Sequence, residues 1–438
     1  MPKLEINIKK TYNVPQDVVV RKIEDKILVI SPNTANWLLF HSESQLMIYN
    51  MLSQKKSILF VLQKYPKLKK DVISVVRELE AKNFENKKIN FLDFKSAYIY
   101  LTNKCNSYCK HCYMSSGEAY NDELTTIEVL RMIDFFSEHG INSVNFTGGE
   151  ASLRDDFVSL LRYAKNNGMR VYVFTNGVNW NKKFIERIKN YINTVQISLD
   201  GYDRQTYSLV RGIDAFDVVM NTISLLSDAN IQTNVTITPL PNTLFEHTQE
   251  YMNFSNAMRE RYKRKKVNIQ FNNELLSGRH LIVTDDLNQI YKNEISKLQV
   301  NSLEENFVNQ HINNIGYNNC GYGTIAVESN GNVYACNIIK KCACIGNIRT
   351  ETLEDIFIRI KKIRTLSTVD NLVPCKNCDL RFLCGGGCRI KHFSKLTSQN
   401  FKSNNLFAQF VRDDECSKEY REKLYSLMIK TNEYFYIS

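Results

Sequence analysis

The sequence predicts an α/β protein centred on a parallel sheet that curls into a full or partial barrel, and three features carry that prediction. Six short β-like apolar runs alternate with helical patterns between residues 97 and 272; a cysteine-free stretch precedes them and a cysteine-rich stretch follows. At 438 residues and 43% hydrophobic content, the chain is long enough for two or three cores.

Residues 1–95 contain no cysteine and read as a small lobe. Val18 to Lys22 and Ile27 to Ile30 are β-rich. Helical periodicity follows at Leu46, Ile48, Tyr49 and Leu52, then from Ile58 to Tyr65 and from Val72 to Leu79. Two strands and three helices are expected there. Over 96–275 the runs AYIYLT (97–102), SVNFTG (143–148), VYVFTN (171–176), TVQISLD (194–200), NVTITP (234–239) and VNIQFN (267–272) mark the six strands. The clearest helix between them opens on Thr125 and Glu128, a capping-box pair. The second, third and fourth runs end in Thr147-Gly148-Gly149-Glu150, Thr175-Asn176-Gly177 and Ser198-Leu199-Asp200-Gly201. Those are the carboxyl ends of the strands, where such a barrel keeps its active site. Residues 276–315 read as a helical connector and 316–438 as a cysteine-rich domain that closes with a helix from about Ser417 to Thr431.

The formal net charge of +11 reflects a chain rich in Lys, Asn, Ile and Tyr throughout. Its one dense basic run, Arg259 to Lys266, reads as a solvated helix end, so no nucleic-acid partner is expected. No uncharged apolar run reaches the length of about 18 residues that a membrane span needs, and the first residues mix charges into every short window. The chain is therefore read as cytoplasmic, with no membrane partner.

Twelve cysteines in a reducing compartment point to metal binding or catalysis. Three fall between 105 and 112 and nine between 320 and 416, whereas cysteines used as small core hydrophobes would scatter. Cys105, Cys109 and Cys112 form a C-x3-C-x2-C loop directly after the first predicted strand. Three thiolates hold three irons of a [4Fe–4S] cube and leave the fourth iron open. Structural zinc wants four closed ligands, and no fourth Cys or spaced His completes such a site.

This loop resembles the hallmark of the radical S-adenosylmethionine (SAM) superfamily, placed at the end of the first strand of a partial (β/α)6 barrel. The resemblance implies that SAM chelates the open iron and that its reductive cleavage yields a 5′-deoxyadenosyl radical able to abstract hydrogen from unactivated carbon. It also implies that Gly148, Gly149 and Glu150 receive the methionine amino group; this chain has Ala151 where the family often has Pro. Ser198 and Asp200 resemble the family's polar contacts to SAM, and Thr175 and Asn176 line the same mouth, strand-end capping being the alternative. Arg211 offers a guanidinium to the SAM carboxylate or is a surface arginine. His111 and Tyr113 flank the last cysteine and pack near the adenine, with an ordinary wall residue the alternative for Tyr113.

Downstream, Cys320-x10-Gly331-x4-Cys336 is followed by Cys375-x2-Cys378-x5-Cys384-x3-Cys388 and by Cys416. These seven cysteines resemble the SPASM pattern of radical SAM enzymes, which houses auxiliary [4Fe–4S] clusters. By resemblance Cys320, Cys336 and Cys388 hold one cluster, and Cys375, Cys378, Cys384 and Cys416 the other. The first is one ligand short, because no cysteine lies between Cys112 and Cys320. Three outcomes stay open: Cys342 or Cys344 closes it, its fourth iron takes a substrate thiolate, or a smaller cluster forms. A zinc knuckle is the alternative for the whole field.

KILVISPNTANWLLFHSESQLMIYNMLS (26–53) and the two helices after it resemble the ribosomal-peptide recognition element, a winged-helix-like lobe to which a leader peptide adds a strand. The complete layout is similar to the sactipeptide maturases, the family of the subtilosin enzyme. The resemblance implies a peptide-modifying oxidoreductase that crosslinks a precursor peptide, a thioether being favoured over a carbon–carbon bond. It would draw electrons from a flavodoxin or ferredoxin. An anaerobic sulfatase-type formylglycine maturase and a non-catalytic zinc or iron–sulfur peptide-binding protein are the other readings.

Overall fold

The computed structural model describes residues 7–85, 95–298, 307, 320–398, 401 and 409–437. Of the expected connector, α11 (Asp285–Leu298) occupies the first part, while 299–306 and 308–315 lie outside the described residues.

The N-terminal lobe has three strands rather than two: β1 (Val19–Ile23), β2 (Lys26–Ser31) and β3 (Asn36–Phe40) form an antiparallel meander. The missed strand, NWLLF, is buried at every position, so it shows no alternation by which to recognise it. Ser42 and Ser57 cap α1 (Glu43–Ser53) and α2 (Ile58–Lys64), each accepting a backbone amide of the first turn; α3 (Lys69–Ala81) follows. Ile27, Val29, Leu38 and Phe40 face these helices. Leu28, Ile30, Trp37 and Leu39 face the other way, onto Leu380, Leu383, Leu424 and Met428 of the C-terminal third. Burial on both faces explains why β2 is apolar without a break.

All six expected central strands form: β4 (Ser96–Tyr100), β5 (Ser143–Thr147), β6 (Arg170–Thr175), β7 (Thr194–Ser198), β8 (Gln232–Ile237) and β9 (Val267–Phe271). They pair in parallel and in chain order, and no pairing of β9 with β4 closes them among the described residues. Between them run α4 (Thr126–Glu138), α5 (Phe157–Asn166), α6 (Lys182–Ile188), α7 (Arg204–Arg211), α8 (Phe216–Asp228), α9 (Pro241–Glu246) and α10 (Thr248–Arg261). The capping box of Thr125 and Glu128 starts α4. Ala97, Ile99, Val144, Phe146, Val171, Val173, Val195 and Ile197 meet these helices in one core, which turns the alternate strand residues inward. The basic run ends α10 and continues into an exposed turn, the solvated helix end expected.

The cysteine-rich third is not a separate layer. Its first strands, β10 (Ala326–Val327), β11 (Asn332–Tyr334) and β12 (Cys344–Asn347), extend the same sheet, giving the order β12-β11-β10-β4-β5-β6-β7-β8-β9. β10 lies parallel to β4 and covers its otherwise open edge. Beyond it come α12 (Leu353–Leu366), the strand pair β13 (Leu372–Val373) and β14 (Phe410–Val411), and α13 (Lys418–Ile437).

Candidate functional site

The Cys105–Cys112 loop is pinned on three sides. Cys105 N donates to Gly117 O at 2.8 Å and Gly117 N to Asn103 O at 3.1 Å. Tyr108 N and Lys110 N donate to Arg211 O and Val210 O at the end of α7, at 3.0 and 2.9 Å. Arg279 N and His280 N donate to Cys112 O and Lys110 O. The glycine pair closes the assembly: Gly149 N reaches Thr102 O and Glu150 N reaches Lys104 O, both at 2.8 Å. A Cβ on Gly149 would lie 2.4 Å from Lys104 O, and one on Gly148 2.3 Å from Thr102 O, so only glycine permits this approach.

A cavity of about 480 Å³ opens at the carboxyl ends of the strands, and Cys105, Cys109 and Cys112 all line it. Burial raises the Cys105 thiol and pushes Cys109 up to about 11; Cys105 feels the charge of Cys112, and Cys109 that of both other cysteines of the loop. Gly148, Gly149, Thr175, Asn176, Ser198, Arg211 and Tyr113, all expected at the mouth, line the same cavity.

Two expected residues stand behind it instead. Glu150 is buried, and its carboxylate accepts from Thr175 Oγ1 (2.8 Å), Asn176 N (2.7 Å) and Ser152 Oγ (2.6 Å). Asp200 is buried under Arg211 at 2.9 Å and His111 at 3.3 Å, and accepts from Thr238 N at 2.8 Å. Burial opposes its charge, but His111 and Arg211 together hold its pKa below the usual carboxylate value. Both carboxylates are spent on positioning neighbours, because a buried acid must be paired. Arg211 is not a surface residue: it is buried, and its Nε, like His111 Nδ1, has no partner among the described residues.

Sequence reasoning missed Tyr98 and Tyr100, which face the cavity from β4 while Ala97 and Ile99 face the helices. The period-two alternation of AYIY was the available signal. The Tyr100 and Tyr113 hydroxyls lie 2.5 Å apart, and both donate to Asn337 O, Tyr113 at 3.2 Å. Since Tyr113 follows Cys112 and Asn337 follows Cys336, this contact joins the two cysteine fields.

A second cavity, of about 360 Å³, is lined by Cys375, Cys378, Cys384 and Cys416, with Val19 and Arg21 of the lobe on its wall. The turn from Cys384 to Cys388 is made by Gly385, Gly386 and Gly387, all at positive φ between 71° and 78°. Buried Arg389 fixes it by donating to Gly385 O and Ser367 O. Cys388 hydrogen-bonds Cys320, whose thiol this contact lowers below the ordinary thiol range, while Cys336 is buried nearby.

Among the described residues no three His, Cys, Asp or Glu donors are close enough to hold a bare ion. Three soft thiols around one cavity, with unpartnered N–H groups beside them, fit an iron–sulfur cube and a chelated polar ligand. That site lies on an open parallel β/α sheet, in a stretch that matches a radical SAM domain, the kind that binds a [4Fe–4S] cluster and SAM, and the later cysteines begin in a stretch that matches a SPASM domain, the kind that binds auxiliary clusters. The Radical SAM superfamily model matches residues 99–255, and that of the SPASM iron–sulfur cluster-binding domain matches 319–379.

Among relatives, the sporulation killing factor maturation protein SkfB of Bacillus subtilis (strain 168) is 39% identical over 145 residues, 33% of this chain and 35% of SkfB. An AdoMet-dependent heme synthase of Nitratidesulfovibrio vulgaris is 35% identical over 32% of this chain and 39% of its own length, so these matches span little more than a third of either relative. Mycofactocin maturase MftC of Mycolicibacterium smegmatis is 28% identical over 67% of this chain and 77% of its own. The solved structure of anSMEcpe with bound AdoMet shares the fold at a TM-score of 0.57 and 20% identity, covering 78% of this chain and 96% of that one. No helix among the described residues is long and apolar enough to cross a membrane.

Proposed function

We propose that the chain is a peptide maturase that abstracts hydrogen from a precursor peptide and forms an intramolecular crosslink, a thioether before a carbon–carbon bond. The observation that carries this reading is one cavity that joins the three-cysteine loop, the strand ends and, through Asn337, the first auxiliary cysteine field. SkfB and MftC are both named as maturation proteins, and the resemblance to sactipeptide maturases favours a cysteine sulfur as the trap.

In this reading Cys105, Cys109 and Cys112 hold the first cluster, and the bound cluster and SAM supply a 5′-deoxyadenosyl radical for hydrogen abstraction. The chain's own groups do the orienting. Gly148 and Gly149 bring bare backbone to the cavity wall, Arg211 presents an unpartnered Nε suited to a carboxylate, and Thr175, Asn176, Ser198 and Tyr113 supply polar edges. Glu150 holds the end of β6 and Asp200 holds Arg211 and His111 in place.

The lobe over 1–95 would receive the precursor's leader and the domain over 316–438 the released electron, with a flavodoxin or ferredoxin as donor to the first cluster. Mass spectrometry of a co-expressed candidate precursor tests this reading: loss of two hydrogens per event with a blocked cysteine indicates a thioether, and an unmodified peptide contradicts it.

A further inference from the structure

Counting only Cys320, Cys336 and Cys388, the first auxiliary set is one thiol short of a closed four-iron cluster. Two further cysteines follow within eight residues of Cys336, and the fold treats them differently. Cys344 opens β12 and is exposed, its sulfur 3.2 Å from Gly346 O. Cys342 is half-buried and packs against the cluster of Tyr100, Ala326, Tyr334 and Ile339.

The short 3-10 turn Ile339–Lys341 folds the chain back after Cys336. As a result Cys336 Sγ accepts from Ile338 N at 3.5 Å, while Cys342 Sγ lies 3.8 Å from Ile338 O and 3.9 Å from Ile339 O. The two sulfurs thus flank one residue, Ile338, and Cys342 lies within electrostatic reach of Cys336. The buried Tyr322 hydroxyl is in electrostatic reach of Cys342, Cys336 and Cys320, and Cys388 touches Cys320.

We propose that Cys342 is the fourth ligand of the first auxiliary cluster, closing it together with Cys320, Cys336 and Cys388 and leaving Cys344 outside. This rests on the auxiliary-cluster reading of the domain. It leaves no auxiliary iron free for a substrate thiolate, so only the cluster of Cys105, Cys109 and Cys112 keeps an open coordination site.

The test uses the full chain carrying Cys105→Ala, Cys109→Ala and Cys112→Ala, in which only auxiliary iron remains. After anaerobic reconstitution and mild ferricyanide oxidation, a cube with an iron lacking a cysteine ligand sheds that iron and gives the electron paramagnetic resonance signal of a three-iron centre. The expected result is no such signal in this parent or after adding Cys344→Ala, and a clear signal after adding Cys342→Ala. Should the alanine variant lose the domain's fold, Cys342→Ser keeps a donor at the position; it should retain the iron and shift the spectrum of the reduced cluster. A signal in the parent, silence in Cys342→Ala, a signal that follows Cys344 instead, or an unshifted serine spectrum overturns the assignment. A parent without any auxiliary iron overturns the cluster reading itself, a failure distinct from the others.

Discussion

Arg21 Nε donates to Asp379 Oδ2 at 2.7 Å, tying the first strand of the N-terminal lobe to the residue that follows Cys378. Asp379 is buried and also accepts from the Tyr425 hydroxyl at 2.9 Å, whereas Arg21 is half-exposed. Arg21→Ala should therefore cost only about 1 kcal/mol, because solvent screens the arginine, and calorimetry of the full chain checks this. Asp379→Ala should cost more, leaving Tyr425 and Arg21 without their acceptor. Equal, negligible losses would mean that the pair does not hold the lobe.

The lobe is not a detachable appendage. Trp37 is 2% exposed, lies between the lobe sheet and α13, and donates from Nε1 to Met428 O at 3.1 Å. Trp37→Ala should lower stability by about 3–5 kcal/mol. Limited proteolysis should then release the lobe; an intact chain with an unchanged melting temperature would refute the packing argument. Deleting the lobe would expose the apolar face of Leu380, Leu383 and Leu424, so peptide-binding tests should use point variants.

Gly149→Ala places a methyl within 2.6 Å of two backbone carbonyls, Lys104 O and Asn103 O, neither of which can yield without moving the cysteine loop. The variant should lose the iron of the first cluster while keeping the auxiliary iron, as read by iron and sulfide analysis. Full iron retention would show that the loop tolerates the shift.

Arg349 donates to both Glu128 oxygens, at 2.6 and 3.0 Å, clamping the start of α4 to the turn after β12. The Arg349 hydrogen bond is the main cause that holds Glu128 down to about 2, below its usual 4.5. A depressed carboxylate stabilises the fold fully above its unfolded value and loses that contribution as pH falls through the folded one. Glu128→Gln should therefore be less stable than the parent by about 1 kcal/mol at neutral pH, after allowance for solvent screening. Denaturant titration of iron-free protein should show the gap closing between about pH 4.5 and pH 2. A pH-independent gap would indicate a packing effect.

The six central strands were legible because each is a short apolar run bounded by turn residues, and the Cys105 loop because its spacing is chemically specific. NWLLF was not, since Asn36 to Phe40 are buried on both faces and show no period. β10 and β11, two and three residues long, carry too little pattern to read, although their pairing on β4 decides how the two cysteine fields meet. Glu150 and Asp200, expected at the mouth with their sequence neighbours, sit behind them in space, a matter of burial that spacing does not encode. The different settings of Cys342 and Cys344 depend on one turn of 3-10 helix, likewise invisible in the spacing.

The assignment of Cys105, Cys109 and Cys112 as the radical-generating site rests on their shared cavity at the strand ends. Its most direct test is 5′-deoxyadenosine release from SAM by anaerobically reconstituted, chemically reduced protein. The parent chain should release it, and Cys105→Ala, Cys109→Ala or Cys112→Ala that still carry auxiliary iron should release none. Release that survives all three substitutions, or a parent that binds iron yet leaves SAM intact, would contradict it.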